Sequence, residues 1–246
     1  MSTPETVVLG TPDAMAAEVA ARLVARLREV QAAGRVPSVV LTGGSIAVTI
    51  HEAVAAHPDA GSVDWAAVDV WFGDERFVAA DSPDRNVGQA AEAMLDKLPL
   101  DPARVHAMPA SDGEYGDDVD AAAAGYAAEL AAAGENGAGP RFDVLMLGIG
   151  PDGHCASLFP GRHEQASSEL AVAVRDSPKP PPTRISMTLR TLSGATEVWW
   201  VAAGAEKAPA VRDALHGTDP VAVPAAGPKG LERTVWLLDD AAASAL

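Results

Sequence analysis

The chain has 246 residues, 48% of them hydrophobic, and its 18 Lys and Arg stand against 34 Asp and Glu, a formal net charge of −16 at pH 7. That length and apolar content exclude a disordered or fibrous chain and suit a single domain over residues 1–246, while the negative charge opposes nucleic-acid phosphates and anionic membranes and leaves a small molecule as the expected partner. The single Cys155 cannot close an internal disulfide; with no signal-like N-terminal segment and no run of roughly 18 apolar residues, a reducing, cytoplasmic setting is expected.

A weak strand at 6–10 opens the chain and is followed by the clearest helix, 11–33, where Val19, Leu23, Leu27 and Val30 recur every three or four residues. Pro12 suits its first position and Gly34 its end. A strand at 36–42 leads to a helix at 45–56, and a strand at 68–73 to a helix at 87–98. The alanine-rich segment 117–133 reads as a surface helix that ends in the loop 134–140. Strands at 142–148, 197–203 and 234–239 are short, β-branched and apolar on both faces, with a weaker strand at 184–188 and a helix at 206–215. Segment 177–182, Ser-Pro-Lys-Pro-Pro-Pro, is a rigid loop, because each Pro fixes φ and removes an N–H. Trp199, Trp200 and Trp236 read as core, with Met146 and Met187 as gap fillers. Strands that alternate with helices predict an α/β fold with a mostly parallel sheet covered on both faces.

Ligands of such sheets collect beyond the carboxyl ends of the strands. The first such end reads Leu41-Thr42-Gly43-Gly44-Ser45, a strand running through two glycines into a helix, whose free N–H groups suit an anion. It lacks the Gly-Lys-Ser/Thr ending of a nucleotide loop, so a phosphorylated small molecule is expected in preference to ATP. The second end, Gly73-Asp74-Glu75-Arg76, followed by Asp81 to Asn86, reads by itself as a solvated, salt-bridged loop. The third is Gly148-Ile149-Gly150-Pro151-Asp152-Gly153-His154, continuing to Pro160-Gly161. It satisfies G-x-G-x-x-G, but Pro160-Gly161 stops any helix within two turns and the nearest acidic candidates, Glu164 and Glu169, fall early, which argues against a dinucleotide site. The glycines instead let backbone wrap a ligand and present Asp152 and His154 to it, a histidine and a carboxylate suited to proton transfer near neutral pH.

Other patterns fail. His51-Glu52 has no second histidine at the zinc-protease spacing, and the acids between 112 and 120 do not follow the calcium-loop spacing, so no metal site is expected. Cys155 beside His154 is read as a small buried hydrophobe, since neighbours on a backbone rarely point side chains together. Basic residues next to strand ends, Lys179, Arg184 and Lys207, are the means by which an acidic chain gathers positive charge for a phosphate.

Thr42-Gly43-Gly44-Ser45, Asp74-Glu75-Arg76-Phe77-Val78 with Asp84 and Asn86, the block 148–160, the proline loop with Arg184-Ile185-Ser186, and Gly204-Ala205-Glu206-Lys207-Ala208 together resemble the 6-phosphogluconolactonase family, in order from about residue 36 to the C-terminus. The resemblance implies a Rossmann-like fold, no metal or cofactor, and hydrolysis of a sugar phosphate lactone. It implies His154 as general base, Asp152 as its orienting carboxylate and Arg76 as the cation for the oxyanion. Substrate and phosphate binding then fall to Thr42, Gly43, Gly44, Ser45, Asp74, Asn86, Lys179, Arg184 and Lys207. The related glucosamine-6-phosphate deaminases share a similar glycine loop but need a further acid after the histidine, where this chain continues Ser157-Leu158-Phe159-Pro160. A non-catalytic sugar-phosphate sensor would keep the glycine turn and not need His154. Monomer and small homo-oligomer are both compatible with the sequence.

Overall fold

The computed structural model describes residues 3–217 and 219–246. In chain order the main elements are β1 (Glu5–Leu9), α1 (Pro12–Ala32), β2 (Ser38–Leu41), α2 (Ser45–Ala55), β3 (Asp69–Phe72), β4 (Asp74–Arg76), α3 (Asn86–Ala93), β5 (Val105–His106), α4 (Val119–Ala133), β6 (Val144–Gly148), β7 (Ala171–Val174), β8 (Arg184–Met187), α5 (Leu189–Leu192), β9 (Glu197–Ala202), α6 (Ala208–His216) and β10 (Arg233–Asp239). Seven strands form one sheet in the order β1-β10-β9-β6-β2-β3-β5, every neighbouring pair parallel. The fold is α/β, as the alternation predicts.

Burial on both faces explains why these strands read as continuous apolar runs. Along β9, Val198, Trp200 and Ala202 enter one core layer, with α4 and α6, while Trp199 and Val201 enter the other, with α1 and α2. β6 alternates the same way, Leu145 and Leu147 against Val144 and Met146. Trp200 and Trp236 stack at 4.8 Å across adjacent strands. On α1, Met15, Val19, Leu23, Leu27 and Val30 form the buried stripe, Thr11 caps by accepting from the Ala14 N–H at 3.1 Å, and Gly34 leaves the helix at φ 74°. Helix α4 departs from the surface-helix reading: Val119, Ala122, Ala123, Tyr126 and Leu130 are buried, and the Tyr126 hydroxyl donates to the Phe72 carbonyl at 3.2 Å.

A second, three-stranded antiparallel sheet has the order β4-β8-β7. The weak strand expected at 184–188 belongs here and not with the parallel strands. Its pairing with β4, Asp74 opposite Ser186 and Arg76 opposite Arg184, hangs this sheet over the carboxyl ends of β2 and β6. Those two strands are central neighbours, and the Gly148 N–H donates to the Thr42 Oγ1 at 3.2 Å just beyond their ends. No helix among the described residues is long and apolar enough to cross a membrane.

Candidate active site

At this end of the sheet lies a cavity of about 520 Å³, the size range of small-molecule sites. Its first wall is the turn from β2 to α2. Gly44 has φ 100°, outside the range of ordinary side chains, and α2 starts without a side-chain cap, so its first N–H groups face the cavity unclaimed. Gly43 has a different reason to be glycine: a Cβ there would stand 2.0 Å from Asn86 Oδ1. The second wall repeats the device. Beyond the end of β9 stands Gly204, also at φ 100°, whose N–H donates to Asp239 Oδ1 at 3.1 Å, and the chain re-enters helix through Lys207 and α6, again without a side-chain cap.

The third wall is the loop after β6. His154 Nδ1 is hydrogen-bonded to Asp152 Oδ1, and Nε2 has no protein partner among the described residues, which leaves it for a ligand or water. The imidazole lies over Gly150, where a Cβ would meet ring atoms at 2.0 Å, and against Phe159, centroids 4.7 Å apart. Burial lowers the His154 pKa below the ordinary histidine value, opposed by Asp152. Burial would raise Asp152, but the hydrogen bond and charge of His154 outweigh it and bring it down. The pair therefore rests as neutral imidazole beside carboxylate at neutral pH, the state of a base ready to accept a proton.

The fourth wall corrects the reading of 74–76 as a solvated loop. Asp74 and Glu75 are buried in β4. Glu75 accepts from the backbone N–H of Arg76 at 2.8 Å, Asn86 at 2.7 Å and Val87 at 2.9 Å, and it faces Arg85 at 3.6 Å. Burial raises its pKa against those partners. It thereby ties β4 to the N-terminus of α3, and Asn86 is left to hydrogen-bond the Arg76 guanidinium through Oδ1 while its Nδ2 donates to the Asp74 carbonyl at 2.8 Å. Asp74 Oδ2 accepts from Ser157 Oγ at 2.6 Å. Charged residues that follow an apolar strand look solvated in sequence because the strand that covers them, β8, is about a hundred residues away.

Of the residues picked from sequence, Thr42, Gly43, Gly44, Ser45, Asp74, Arg76, Asn86, His154, Lys179, Arg184 and Lys207 all line this one cavity, and Asp152 stands behind His154. Four cations thus converge on one cavity of a strongly acidic chain. Burial, then the charges of Lys207 and Arg184, lower the Lys179 pKa against the pull of Asp152. Sequence reasoning missed Thr49 and Glu206 in the lining and the supporting roles of Glu75 and Ser157; helical spacing places Thr49 one turn after Ser45 and was the available signal. Cys155 is fully buried, as expected. No group of three or more His, Cys, Asp or Glu among the described residues could hold a metal ion.

A family model described as glucosamine-6-phosphate isomerases/6-phosphogluconolactonase matches residues 10–236. The 6-phosphogluconolactonase of Streptomyces coelicolor is 52% identical over 248 residues, 99% of this chain and 95% of that protein. Among solved structures, the 6-phosphogluconolactonase of Trypanosoma brucei superposes with a TM-score of 0.81 at 29% identity, over 99% of this chain and 98% of its own. A monomeric glucosamine-6-phosphate deaminase has the same TM-score of 0.81 at 17% identity, over 98% of this chain and all of its own, a likeness of fold alone.

Proposed function

The chain belongs to the family of glucosamine-6-phosphate isomerases and 6-phosphogluconolactonases, and from that membership we propose that it is a lactone hydrolase, which opens 6-phospho-D-glucono-1,5-lactone to 6-phospho-D-gluconate in the oxidative pentose phosphate pathway. The observation that carries this reading is the 52% identity to a 6-phosphogluconolactonase along nearly the whole chain. The cavity supports it: two uncapped glycine turns suit a phosphate, and a neutral histidine backed by a carboxylate suits the activation of water.

In this mechanism His154 Nε2 takes a proton from water as the water oxygen adds to the lactone carbonyl carbon. The carbonyl electrons move onto oxygen beside the Arg76 guanidinium, which Asn86 and the Asp84 carbonyl (3.0 Å from Nη1) hold in place. The tetrahedral centre then expels the ring oxygen, which takes the proton from the imidazolium. The lactone is an activated ester, so no covalent enzyme intermediate is needed. Asp152 fixes the tautomer and steadies the transient imidazolium. The 6-phosphate is held at the Thr42-Gly43-Gly44-Ser45 turn with Lys207, remote from the reacting carbon.

The deaminase alternative is disfavoured by the surroundings of His154. Ring opening and proton shuttling call for a second acid beside it, and that neighbour is the Phe159 ring; Glu164, farther along the loop, is engaged with Arg162 at 3.0 Å. Incubating the protein separately with fresh 6-phosphogluconolactone and with glucosamine 6-phosphate tests the reading. Lactone loss well above the spontaneous rate is expected. Ammonia release from the amino sugar, without lactone hydrolysis, refutes it.

A further inference from the structure

Sequence puts Arg184 among the groups that grip phosphate, yet its guanidinium is turned toward protein. Nε donates to the Pro181 carbonyl at 3.2 Å, Nη2 to the carbonyls of Lys179 at 3.0 Å and Pro180 at 3.3 Å, and Nη1 to Ser157 Oγ at 3.4 Å, with Asp74 Oδ2 at 4.0 Å. A phosphate is best gripped by two parallel donors facing outward, and here both ends of the fork are already engaged. The loop has a reason to need them: four of the six residues in 177–182 are Pro, so the segment has few N–H groups with which to build itself and its carbonyls need donors from elsewhere. Ser177 supplies the rest, its Oγ donating to the Lys179 carbonyl at 3.0 Å and accepting from the Lys179 N–H at 3.3 Å. The backbone of Lys179 is thus held by three hydrogen bonds with Ser177 and Arg184, while Lys179 lines the cavity near enough to Asp152, His154 and Lys207 for their charges to interact.

We propose that Arg184 is a positioning residue, which clamps the proline loop so that the Lys179 ammonium stays in the cavity, and that Lys179 is the group of this loop that touches the anionic substrate. Through Ser157 and Asp74 the clamp also joins the loop to β4 and to the loop that carries His154. A lysine at 184 keeps the charge but has no planar fork for carbonyls that point in several directions, so charge alone does not restore the function. The proposal rests on reading this cavity as the lactone site.

A double-mutant cycle of Arg184→Lys with Lys179→Ala tests it, read both as kcat/KM for the lactone and as the Kd of 6-phospho-D-gluconate. Arg184→Lys is expected to cost about tenfold or more in the wild-type background and less than about twofold once Lys179 is gone, because residues that act through one another are not additive. Equal costs in both backgrounds overturn the proposal and make Arg184 an independent contact. Should Arg184→Lys not give folded protein, Ser177→Ala serves in its place, with an expected loss of about threefold that vanishes in the Lys179→Ala background; a loss that persists there overturns the proposal too. A chain that hydrolyses no lactone but binds 6-phosphogluconate with the coupling intact refutes the activity and upholds the role of Arg184. Normal hydrolysis with an additive cycle does the reverse.

Discussion

The two ends of the cavity are built by different means. The glycine-turn end is built from backbone N–H groups at the start of α2 and in the turn that follows Gly204, set by Gly44 and Gly204 at φ 100° and owing little to side chains. At the histidine end almost everything is side chain: Asp152 orients His154, Asn86 holds Arg76, and Asp74, Ser157 and Arg184 form a buried chain of contacts. Backbone donors cost little to keep in place and suit a group that does not change during a reaction. Reacting atoms need groups whose charge can change, and those must be held by neighbours. The difference predicts that substitutions at one end alter turnover and at the other alter discrimination.

The largest expected effect is His154→Ala, which lowers kcat by about a hundredfold or more while the Kd of 6-phosphogluconate changes little. A folded variant with near wild-type turnover removes the base from the mechanism and erases the contrast between the ends. Gly150→Ala sharpens the point without touching a charge. Its Cβ would occupy the place of the imidazole, 2.0 Å from ring atoms, so turnover should fall by more than about tenfold with substrate affinity largely kept. Unchanged kinetics would mean that the ring works in another position.

At the other end, Lys207→Ala should weaken kcat/KM for 6-phosphogluconolactone by about tenfold and leave unphosphorylated gluconolactone nearly unaffected, since a charge-assisted hydrogen bond contributes about 1.5–3 kcal/mol. Equal factors for the two lactones would move the phosphate elsewhere. The Asp152–His154 pair gives a pH test. In the proposed mechanism neutral imidazole is the active form, and burial lowers the His154 pKa, so kcat/KM should fall on the acid side with a midpoint below the ordinary value of 6.5. Asp152 opposes that lowering, so Asp152→Asn should shift the midpoint to still lower pH as well as slow turnover. A midpoint that moves upward contradicts the assigned pairing.

The smallest effect on catalysis is expected where α2 leaves the cavity. His51 is buried with neither ring nitrogen hydrogen-bonded, and burial lowers its pKa to about 4. The unfolded chain takes up this proton first, near the ordinary 6.5, so the contribution to stability is whole above that pH and is lost as pH falls toward 4, by up to about 3 kcal/mol. Chemical denaturation of His51→Leu between pH 7 and 4 should show a shallower loss than wild type, with kcat intact at neutral pH. An unchanged slope assigns the acid sensitivity to other groups.

Elements whose signal is local were legible in the sequence. The apolar periodicity of α1 and the both-faces burial of β2, β3, β6, β9 and β10 depend only on residues a few positions apart, and so does the glycine turn at Gly43-Gly44. The strand-end argument reached Asp152 and His154 as a pair suited to proton transfer, and the resemblance added the role of Arg76, which that argument read only as part of a charge cluster. β5 and β7 went unread, because a two-residue strand and the Ala-Val-Ala-Val run carry too little pattern to separate from a loop.

What sequence determined here, then, is where backbone must turn, which segments are buried, and which side chains sit at strand ends. Tertiary structure decided the company those side chains keep. Glu75 becomes a buried anchor only because α3 brings the N–H groups of Asn86 and Val87 to it, and Asp74 becomes part of the cavity wall only when β8 pairs with β4 across more than a hundred residues. Arg184 looks like a phosphate ligand by charge and position, and its donors are claimed by carbonyls that the chain's path, not its charge pattern, aims at it. Periodicity and backbone strain are set by neighbours in sequence, whereas hydrogen-bond partners and desolvation are set by neighbours in space, and only folding makes those known.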